Sequence, residues 1–325
     1  MTSLYKVAII GAGPAGIACA VEAIKKGVSP NEILFLEKFN EILHSIKVKY
    51  PDNKPVLANY KGIGAQCFGD LCITDMDKDE FITFMQDQLD QTKVDVRYGQ
   101  ELKSITKTKS GHFSLCTQND CLFSETVFVA IGNMSTPRAL GIPVADKVFD
   151  RVLYDVNSIK DKEKKVLVVG GGDSASEYAQ HLVSMEHEVS ISYRRGEFSR
   201  MLDTNLKAIE DLEKDKKLTI YKPSTLKRIS ESSGRAKVFF DQSELDQEFD
   251  YVVAAIGGEN PRKYLKTLNI DLEKEDDDGE FLEADREGLF ILGDLAAGKK
   301  GGSIIKSFNS AYFAMNEACY FHLDC

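Results

Sequence analysis

The pattern of apolar and polar positions near the start of the chain predicts a strand, a helix and a second strand, in that order. The apolar run Val7–Ile10 predicts a buried strand, and it ends in the glycine-rich turn Gly11–Gly16. Apolar residues then recur at helical spacing as far as Gly27, and a second apolar run, Ile33–Leu36, stops at Glu37. This order of elements is a complete βαβ unit.

The glycine turn of this unit has the spacing of a dinucleotide-binding site. The first glycine permits the tight turn, the second lets a pyrophosphate approach the backbone, and the third lets helix and strand pack closely. The helix N-terminus offers N–H groups and partial positive charge to phosphates. Glu37 follows about 20 residues later, where a carboxylate can bind ribose hydroxyl groups. The predicted contacts of this unit are Gly11, Gly13, Ala15, Gly16, Glu37 and Lys38.

The same pattern returns in the middle of the chain. The strand Val166–Val169 precedes the turn Gly170–Ala175, a helix over Ser176–Met185 and a second strand, Val189–Tyr193. Two units of this kind indicate two bound dinucleotides, or one dinucleotide and a vestige of a second site. The predicted contacts of this turn are Gly170, Gly172, Asp173, Ser174 and Ala175.

The residues after the second strand distinguish the two units. The first unit ends in Glu37, whereas the second continues with Arg194 and Arg195 and reaches Arg200. A carboxylate would repel a 2′-phosphate, but guanidinium groups hold it by paired, charge-assisted hydrogen bonds. The second unit therefore predicts NADPH rather than NADH. The alternative interpretation is a solvated arginine cluster.

Two further apolar strands that end in glycine flank the second unit. Thr126–Gly132 and Val252–Gly258 are each followed by a proline within a few residues. We expect them to be paired crossings between two domains, so that the second domain is inserted in a discontinuous first domain. The predicted fold is α/β, with two Rossmann-like domains. The expected boundaries are 1–135 and 256–325 for the first domain and 136–255 for the second.

The composition of the chain argues against some classes of function. The chain is 43% hydrophobic and 28% charged, with a formal net charge of −10. This acidic balance argues against general nucleic-acid affinity, which needs a basic face. No apolar stretch is long enough for a signal sequence or a membrane span, so we expect a cytoplasmic protein with no stable membrane insertion. We assign no general acid, general base or metal ligand.

The seven cysteines are expected to be reduced thiols, because disulfides are rare in a reducing compartment. Cys67 and Cys72 have the Cys-x4-Cys spacing of a redox disulfide, but we interpret them as partly buried thiols. Cys116 and Cys121 have the same spacing across a predicted hairpin, where we expect packing residues. Cys19 faces the core by its helical period.

Four ordered motifs resemble the thioredoxin-reductase-like flavoproteins that bind two dinucleotides. They are Gly11–Gly16, Gly170–Glu177, Tyr193–Arg195 and Gly293–Asp294. The resemblance implies FAD on the first domain, with Glu37 at its ribose and Asp294 near its ribityl chain and pyrophosphate. It also implies NADPH on the inserted domain and, usually, a homodimer.

The resemblance extends to the end of the chain. The last helix is predicted from about Ile304 to Phe321, and in the family its N-terminus points at the flavin. A positive helix end at that place stabilises the anionic reduced flavin. Ser303 and Ile304 are therefore predicted contacts of FAD, together with Gly132 after the first crossing strand.

One departure from the family is informative. A thioredoxin reductase carries Cys-x-x-Cys in its NADPH domain, and this chain has none. Direct reduction of thioredoxin is therefore not expected, and electrons must leave the flavin another way. Bacillithiol disulfide reductases also lack that pair, but Ala15 stands here at the position of their reactive cysteine.

A finer likeness is to the flavodoxin:quinone reductase type of NADPH oxidoreductase. It rests on Tyr193–Arg200 with Asn205, on Gly302–Ile304 and on the lysine-bearing insert after Glu37. We therefore predict an enzyme that passes electrons from NADPH through FAD to a flavodoxin or ferredoxin, or to a quinone, in either direction. The alternatives are a low-molecular-weight disulfide reductase and a non-catalytic FAD and NADPH sensor.

Such carriers are usually acidic, so a carrier-reducing enzyme needs a basic patch on this acidic chain. The candidate residues are Lys47, Lys49, Lys54, Lys61, Lys299 and Lys300.

Overall fold

A computed structural model describes residues 4–52, 54–60, 63–64, 66–133, 136–259, 261–270, 282–284, 286–297 and 303–325. The chain forms two compact units. The first comprises Met1–Lys47, Pro55–Ser135 and Asn260–Cys325, and the second comprises Val48–Lys54 and Thr136–Glu259. Most of the acidic stretch 272–286, which the sequence predicts to be an exposed loop or hairpin, lies outside the described residues, as do Lys61, Lys299, Lys300 and Gly302.

The helices and strands of the described residues include both predicted βαβ units and the predicted last helix. The helices are α1 (Pro14–Lys25), α2 (His44–Lys49), α3 (Lys78–Thr92), α4 (Asp173–Ser184), α5 (Asp203–Lys214), α6 (Arg262–Thr267) and α7 (Ile304–Phe321). The strands up to the first crossing are β1 (Leu4–Ile10), β2 (Ile33–Leu36), β3 (Asn59–Tyr60), β4 (Ile63–Gly64), β5 (Val96–Arg97), β6 (Ser104–Lys107), β7 (Phe113–Cys116), β8 (Cys121–Val129) and β9 (Thr136–Pro137). The later strands are β10 (Val152–Leu153), β11 (Lys165–Val169), β12 (Glu188–Ser192), β13 (Leu218–Tyr221), β14 (Leu226–Ser232), β15 (Arg235–Phe240), β16 (Gln247–Phe249), β17 (Tyr251–Ala254), β18 (Gly258–Glu259), β19 (Leu282–Glu283) and β20 (Leu289–Ile291).

The first unit is built on a mixed sheet whose main strand order is β19-β20-β8-β1-β2-β5, with β7 and β6 added beside β8. The strands β20, β8, β1, β2 and β5 run parallel to one another, while β19 and the β6–β7 hairpin are antiparallel. The predicted apolar runs, Val7–Ile10 in β1 and Ile33–Leu36 in β2, are fully buried because this part of the sheet is covered on both faces. Helix α1 packs against α3 and α7.

The parallel strands of this sheet end in register. Ile10 of β1 lies beside Leu36 of β2 and Val129 of β8, and Val129 also lies beside Ile291 of β20. The carboxyl ends of these strands therefore meet at the same edge of the sheet. Ligands of open α/β sheets bind at such an edge, so the residues that follow each strand become the candidate site.

The second unit contains a parallel sheet in the order β10-β17-β11-β12-β13 and a separate antiparallel sheet, β14-β15-β16. Helices α4 and α5 pack on the parallel sheet. The strands predicted as crossings, β8 and β17, lie in different sheets, and the short strands that follow them, β9 and β18, form an antiparallel ribbon with Pro137 opposite Gly258.

One short segment lies outside the expected domain plan. We expected residues 1–135 to form one continuous part of the first domain, but Val48–Lys54 packs within the second unit. The cause is a set of hydrogen bonds between its carbonyl groups and side chains of the second unit, which no local pattern in the sequence reveals. The second unit also extends to Glu259 rather than to residue 255.

Among the helices that the structure describes, none has both the length and the apolar character needed to span a membrane.

Candidate functional site

The first glycine turn has the geometry that its spacing predicts. Gly11 has a φ of +104°, and a Cβ atom there would lie 2.7 Å from the carbonyl oxygen of Ala130. A Cβ atom on Gly16 would overlap the carbonyl oxygen of Gly11. A Cβ atom on Gly13 would meet no protein atom within 4 Å. The turn is therefore closed by protein at its outer glycines and open at the central glycine, where a phosphate has room.

The end of β2 delivers a fixed carboxylate to this turn. The Glu37 side chain is only 7% exposed, and its Oε2 atom accepts a hydrogen bond of 2.6 Å from the backbone N–H of Ala12. Its Oε1 atom accepts a hydrogen bond of 2.9 Å from the N–H of Phe39. Each oxygen retains a further lone pair for a ligand hydroxyl group. Lys38 is exposed, with its ammonium group 4.7 Å from the centre of the Phe39 ring.

The turn after β20 meets the first turns of α1 and α7. Gly293 has a φ of +65°, and its N–H donates a 2.9 Å hydrogen bond to the Oγ atom of Ser310. A Cβ atom on Gly293 would lie 3.0 Å from the Cβ atom of Ala15, so glycine is required for this close approach. Ser303 caps α7 by accepting a hydrogen bond from the N–H of Lys306. The structure therefore brings Ala15, Gly293 and the first turns of α7 together.

Asp294 follows directly in this turn. Its side chain is exposed at one face, but surrounding protein partly removes it from water, and this burial raises the pKa of its carboxyl group. Gly132, with a φ of +67°, follows β8 at the same edge of the sheet. Ile304 is the first residue of α7. The predicted contacts of the first unit thus lie on the ends of neighbouring elements.

The second glycine turn repeats the first. Gly170 donates its N–H to the carbonyl oxygen of Ser192 at 3.0 Å, and a Cβ atom on Gly171 would overlap the ring of Tyr193. A Cβ atom on Gly172 would meet no protein atom within 4 Å. Ala175 is fully buried in the first turn of α4, and Ser174 is exposed beside it. The central glycine again leaves room for a phosphate.

The arginines predicted to hold the 2′-phosphate lie beyond the end of β12. Tyr193 packs on the glycine turn and stacks on Phe198, with ring centres 5.1 Å apart. Arg194 and Arg195 follow Tyr193 directly and are exposed, as is Arg200. None of these three makes an ion pair with another residue that the structure describes. Their guanidinium groups are therefore available to an anionic ligand.

Two anchors hold Arg200 beside the second turn. Its backbone forms an isolated parallel bridge with Gly172. The Oδ1 atom of Asp173 accepts hydrogen bonds from the N–H of Leu202 at 2.7 Å and from the side-chain amide of Asn205 at 3.1 Å. Asp173, which the sequence suggested only as a cofactor contact, thus positions the arginine-bearing loop. The sequence Met201–Asn205 after Arg200 gave no signal for these bonds.

The predicted basic patch is not a free patch in the described residues. The Lys54 ammonium group lies 2.7 Å from Glu177, and both side chains are about four-fifths buried. Lys47 pairs with Glu41 at 3.2 Å. The interpretation of Lys54 as an exposed docking residue is wrong, because the 48–54 segment turns this side chain into the second unit.

The expectation of reduced thiols is also wrong for six of the cysteines. The structure contains disulfides between Cys67 and Cys72, between Cys116 and Cys121, and between Cys319 and Cys325. The Cα atoms of the first pair are 5.7 Å apart, within the ordinary range for a disulfide. The redox state of a compartment does not reveal this local geometry, which brings the two cysteines of each pair together.

We predict that Cys19 does not react with iodoacetamide in the folded protein at pH 7. It is fully buried in α1, and burial, aided by the nearby Glu22 carboxylate, raises the pKa of its thiol. The thiolate is the reactive form, so both access and ionisation are withheld. Mass spectrometry should find no label on the native protein and one label after unfolding without reductant. Several labels after such unfolding would show that the paired cysteines are reduced.

Two βαβ units, each with an open glycine turn before a helix, define a protein that holds two dinucleotides. The family model described as pyridine nucleotide-disulphide oxidoreductase matches residues 8–293, and the chain belongs to this family. It is a flavoprotein oxidoreductase that uses FAD and NADPH.

Relatives match the chain over almost its whole length. A ferredoxin–NADP reductase of Streptococcus pyogenes serotype M2 is 28% identical over 323 residues, which is 97% of this chain and 92% of the relative. The enzyme of the same name from serotype M5 is 26% identical, with the same coverage.

Solved structures support the same fold. A bacillithiol disulfide reductase from Staphylococcus aureus has a TM-score of 0.80 at 19% identity, and it covers 98% of this chain and 100% of its own. Lactococcus lactis thioredoxin reductase has a TM-score of 0.78 at 21% identity, and it covers 99% of this chain and 100% of its own. At such identities the likeness concerns the fold alone.

Proposed function

We propose that the protein transfers electrons between NADPH and a small electron-carrier protein, a ferredoxin or a flavodoxin, through bound FAD. The observation that carries this proposal is the match to ferredoxin–NADP reductases across 97% of the chain. The absence of Cys-x-x-Cys from the sequence agrees with it, because a carrier accepts electrons without a dithiol relay.

The first unit would hold FAD. The open position at Gly13 and the N–H groups of the first turn of α1 suit its pyrophosphate, and Glu37 suits the hydroxyl groups of its ribose. Asp294 lies on the adjoining turn near the proposed pyrophosphate and ribityl chain, where the burial that raises its pKa would favour the protonated form, which donates a hydrogen bond. Ser303 and Ile304 begin α7, whose positive end would face the flavin.

The second unit would hold NADPH. Gly172 leaves room for the pyrophosphate, and Ser174 and Ala175 lie in the first turn of α4 behind it. Arg194, Arg195 and Arg200 would bind the 2′-phosphate. When bound, FAD supplies the redox chemistry by taking a hydride from NADPH and releasing electrons to the acceptor. The chain itself binds, orients and supplies fixed charges.

A second candidate function is reduction of a low-molecular-weight disulfide. The observation that favours it is the disulfide between Cys67 and Cys72, of which Cys72 is exposed. In such an enzyme this pair would take electrons from the flavin and pass them to the substrate. A quinone is a further acceptor to test, and a non-catalytic sensor would show no multiple-turnover consumption of NADPH.

The two candidates predict opposite results for the double variant Cys67→Ser/Cys72→Ser. If the acceptor is a carrier protein, the steady-state rate of NADPH-dependent flavodoxin reduction should stay within about twofold of the wild-type rate. A matched control is Cys116→Ser/Cys121→Ser, which removes a disulfide of the same spacing from the β7–β8 hairpin. Loss of flavodoxin reduction in the first variant alone would contradict the proposal.

The predicted homodimer stays a prediction, which sedimentation of the FAD-loaded protein would test. The direction of electron flow is set by the potentials of the carrier and of the NADPH pool.

A further inference from the structure

The 48–54 segment leaves the first unit at Lys47, packs within the second unit and returns at Pro55. Its carbonyl groups are held by side chains of the second unit. The side-chain amide of Asn157 donates to the carbonyl oxygens of Val48 at 2.9 Å and Tyr50 at 3.0 Å. The hydroxyl group of Tyr178 on α4 donates to the carbonyl oxygen of Lys49 at 3.0 Å. These bonds fix the path of the segment.

The segment ends by placing one ammonium group against α4. The Lys54 Nζ atom lies 2.7 Å from the Oε2 atom of Glu177 and 4.1 Å from the centre of the Tyr50 ring. The Lys54 side chain is 20% exposed and that of Glu177 is 19% exposed. Burial alone would lower the pKa of Lys54, but Tyr50, Glu177 and Asp173 outweigh it and raise that pKa. Lys54 therefore stays charged at neutral pH.

The position of Glu177 makes its ion pair with Lys54 important for nucleotide binding. Glu177 lies in the second turn of α4, the helix whose N-terminus follows the open Gly172. The negative charge of an unpaired carboxylate there would offset the partial positive charge of the helix N-terminus. It would also repel the phosphates of NADPH. The Glu177 side chain is about four-fifths buried, so its charge is weakly screened by salt and its repulsion would reach the phosphate site.

We infer that Lys54 is a positioning residue for NADPH, which acts by neutralising Glu177 beside the phosphate-binding end of α4. This inference rests on the proposed NADPH site of the second unit. A lysine from the insert after Glu37 thus serves the second nucleotide site, although in sequence it lies far from the glycine turn that it supports. Lys54 acts through Glu177, and no contact between its ammonium group and the nucleotide is required.

The test is a titration of NADP⁺ into the FAD-loaded protein by calorimetry, comparing wild type with Lys54→Met, Glu177→Gln and the double variant. We expect Lys54→Met to weaken NADP⁺ binding about tenfold, because it exposes the phosphates to an unpaired carboxylate. Removing both charges should restore an affinity close to that of wild type. Lys54→Arg, which keeps the charge, should bind as wild type does.

One control variant and two contradicting outcomes separate this role from others. Lys227→Met removes an exposed positive charge from β14, outside both the 48–54 segment and α4, so its NADP⁺ affinity should stay near that of wild type. If the double variant binds as weakly as Lys54→Met, Lys54 does not act through Glu177 and the inference is wrong. Equal affinity of Lys54→Met and wild type would also overturn it. Failure of the wild-type protein to bind NADP⁺ would instead refute the proposed function.

Discussion

The variant Arg195→Ala is expected to raise the KM for NADPH about ten- to a hundredfold and to leave the KM for NADH unchanged. Hydrogen bonds to a charged group are worth about 1.5–3 kcal/mol, and one factor of ten corresponds to about 1.4 kcal/mol. NADH lacks the 2′-phosphate that the guanidinium group would bind. Arg195 is exposed and unpaired among the described residues, so its loss removes no internal ion pair.

Steady-state kinetics with ferricyanide as acceptor would measure this selectivity without a carrier protein. Arg194→Ala and Arg200→Ala should show the same selectivity, each with a smaller or similar effect. Lys227→Ala, which removes an exposed charge from β14 of the same unit, should change neither KM. Equal increases for NADPH and NADH would mean that Arg195 supports the fold of the loop and does not bind the 2′-phosphate.

The variant Gly13→Ala is expected to fold normally and to lose FAD. Gly13 has a φ of −86°, which alanine adopts without strain, and its Cβ atom would meet no protein atom within 4 Å. The added methyl group would occupy the space proposed for the pyrophosphate. Overpacking of this kind costs about 1–3 kcal/mol, so FAD affinity should fall about tenfold or more. The ratio of flavin to protein absorbance after purification measures the loss.

The corresponding variant of the second glycine turn, Gly172→Ala, distinguishes the proposed NADPH site from the proposed FAD site. Its φ of −114° also suits alanine, and its Cβ position is equally open. We expect this variant to keep FAD and to lose affinity for NADPH. The melting temperature of each variant should match that of the wild-type protein in the same state of FAD loading, because bound ligand raises apparent stability. A variant of Gly13 that retains full FAD content would exclude the first glycine turn as its site.

The sequence was sufficient for the parts of the fold that depend on local periodicity. Three elements have the predicted type and nearly the predicted bounds: the strands Ile33–Leu36 and Lys165–Val169 and the helix Ile304–Phe321. Each strand is a continuous apolar run, and the helix has apolar residues at helical spacing, so local sequence was enough. The glycine turns were predictable for the same reason, since their spacing is a backbone requirement.

Contacts between distant parts of the chain could not be read in this way. The 48–54 segment contains no periodicity, and the donors that hold it, Asn157 and Tyr178, lie more than a hundred residues later. Ser310 accepts a hydrogen bond from the N–H of Gly293, but it lies in the middle of a helix, where a serine by itself indicates no particular partner. The cysteine pairs were misjudged because compartment was weighed above turn geometry.

In the proposed function, electrons pass from NADPH through FAD to a carrier protein. The most direct test is an anaerobic titration of the purified FAD-loaded protein with NADPH, followed by addition of oxidised flavodoxin or ferredoxin while flavin absorbance is recorded. We expect NADPH to bleach the flavin absorbance and the carrier to restore it. A bleached flavin whose absorbance returns only with a disulfide substrate, and not with either carrier, would contradict the proposed function.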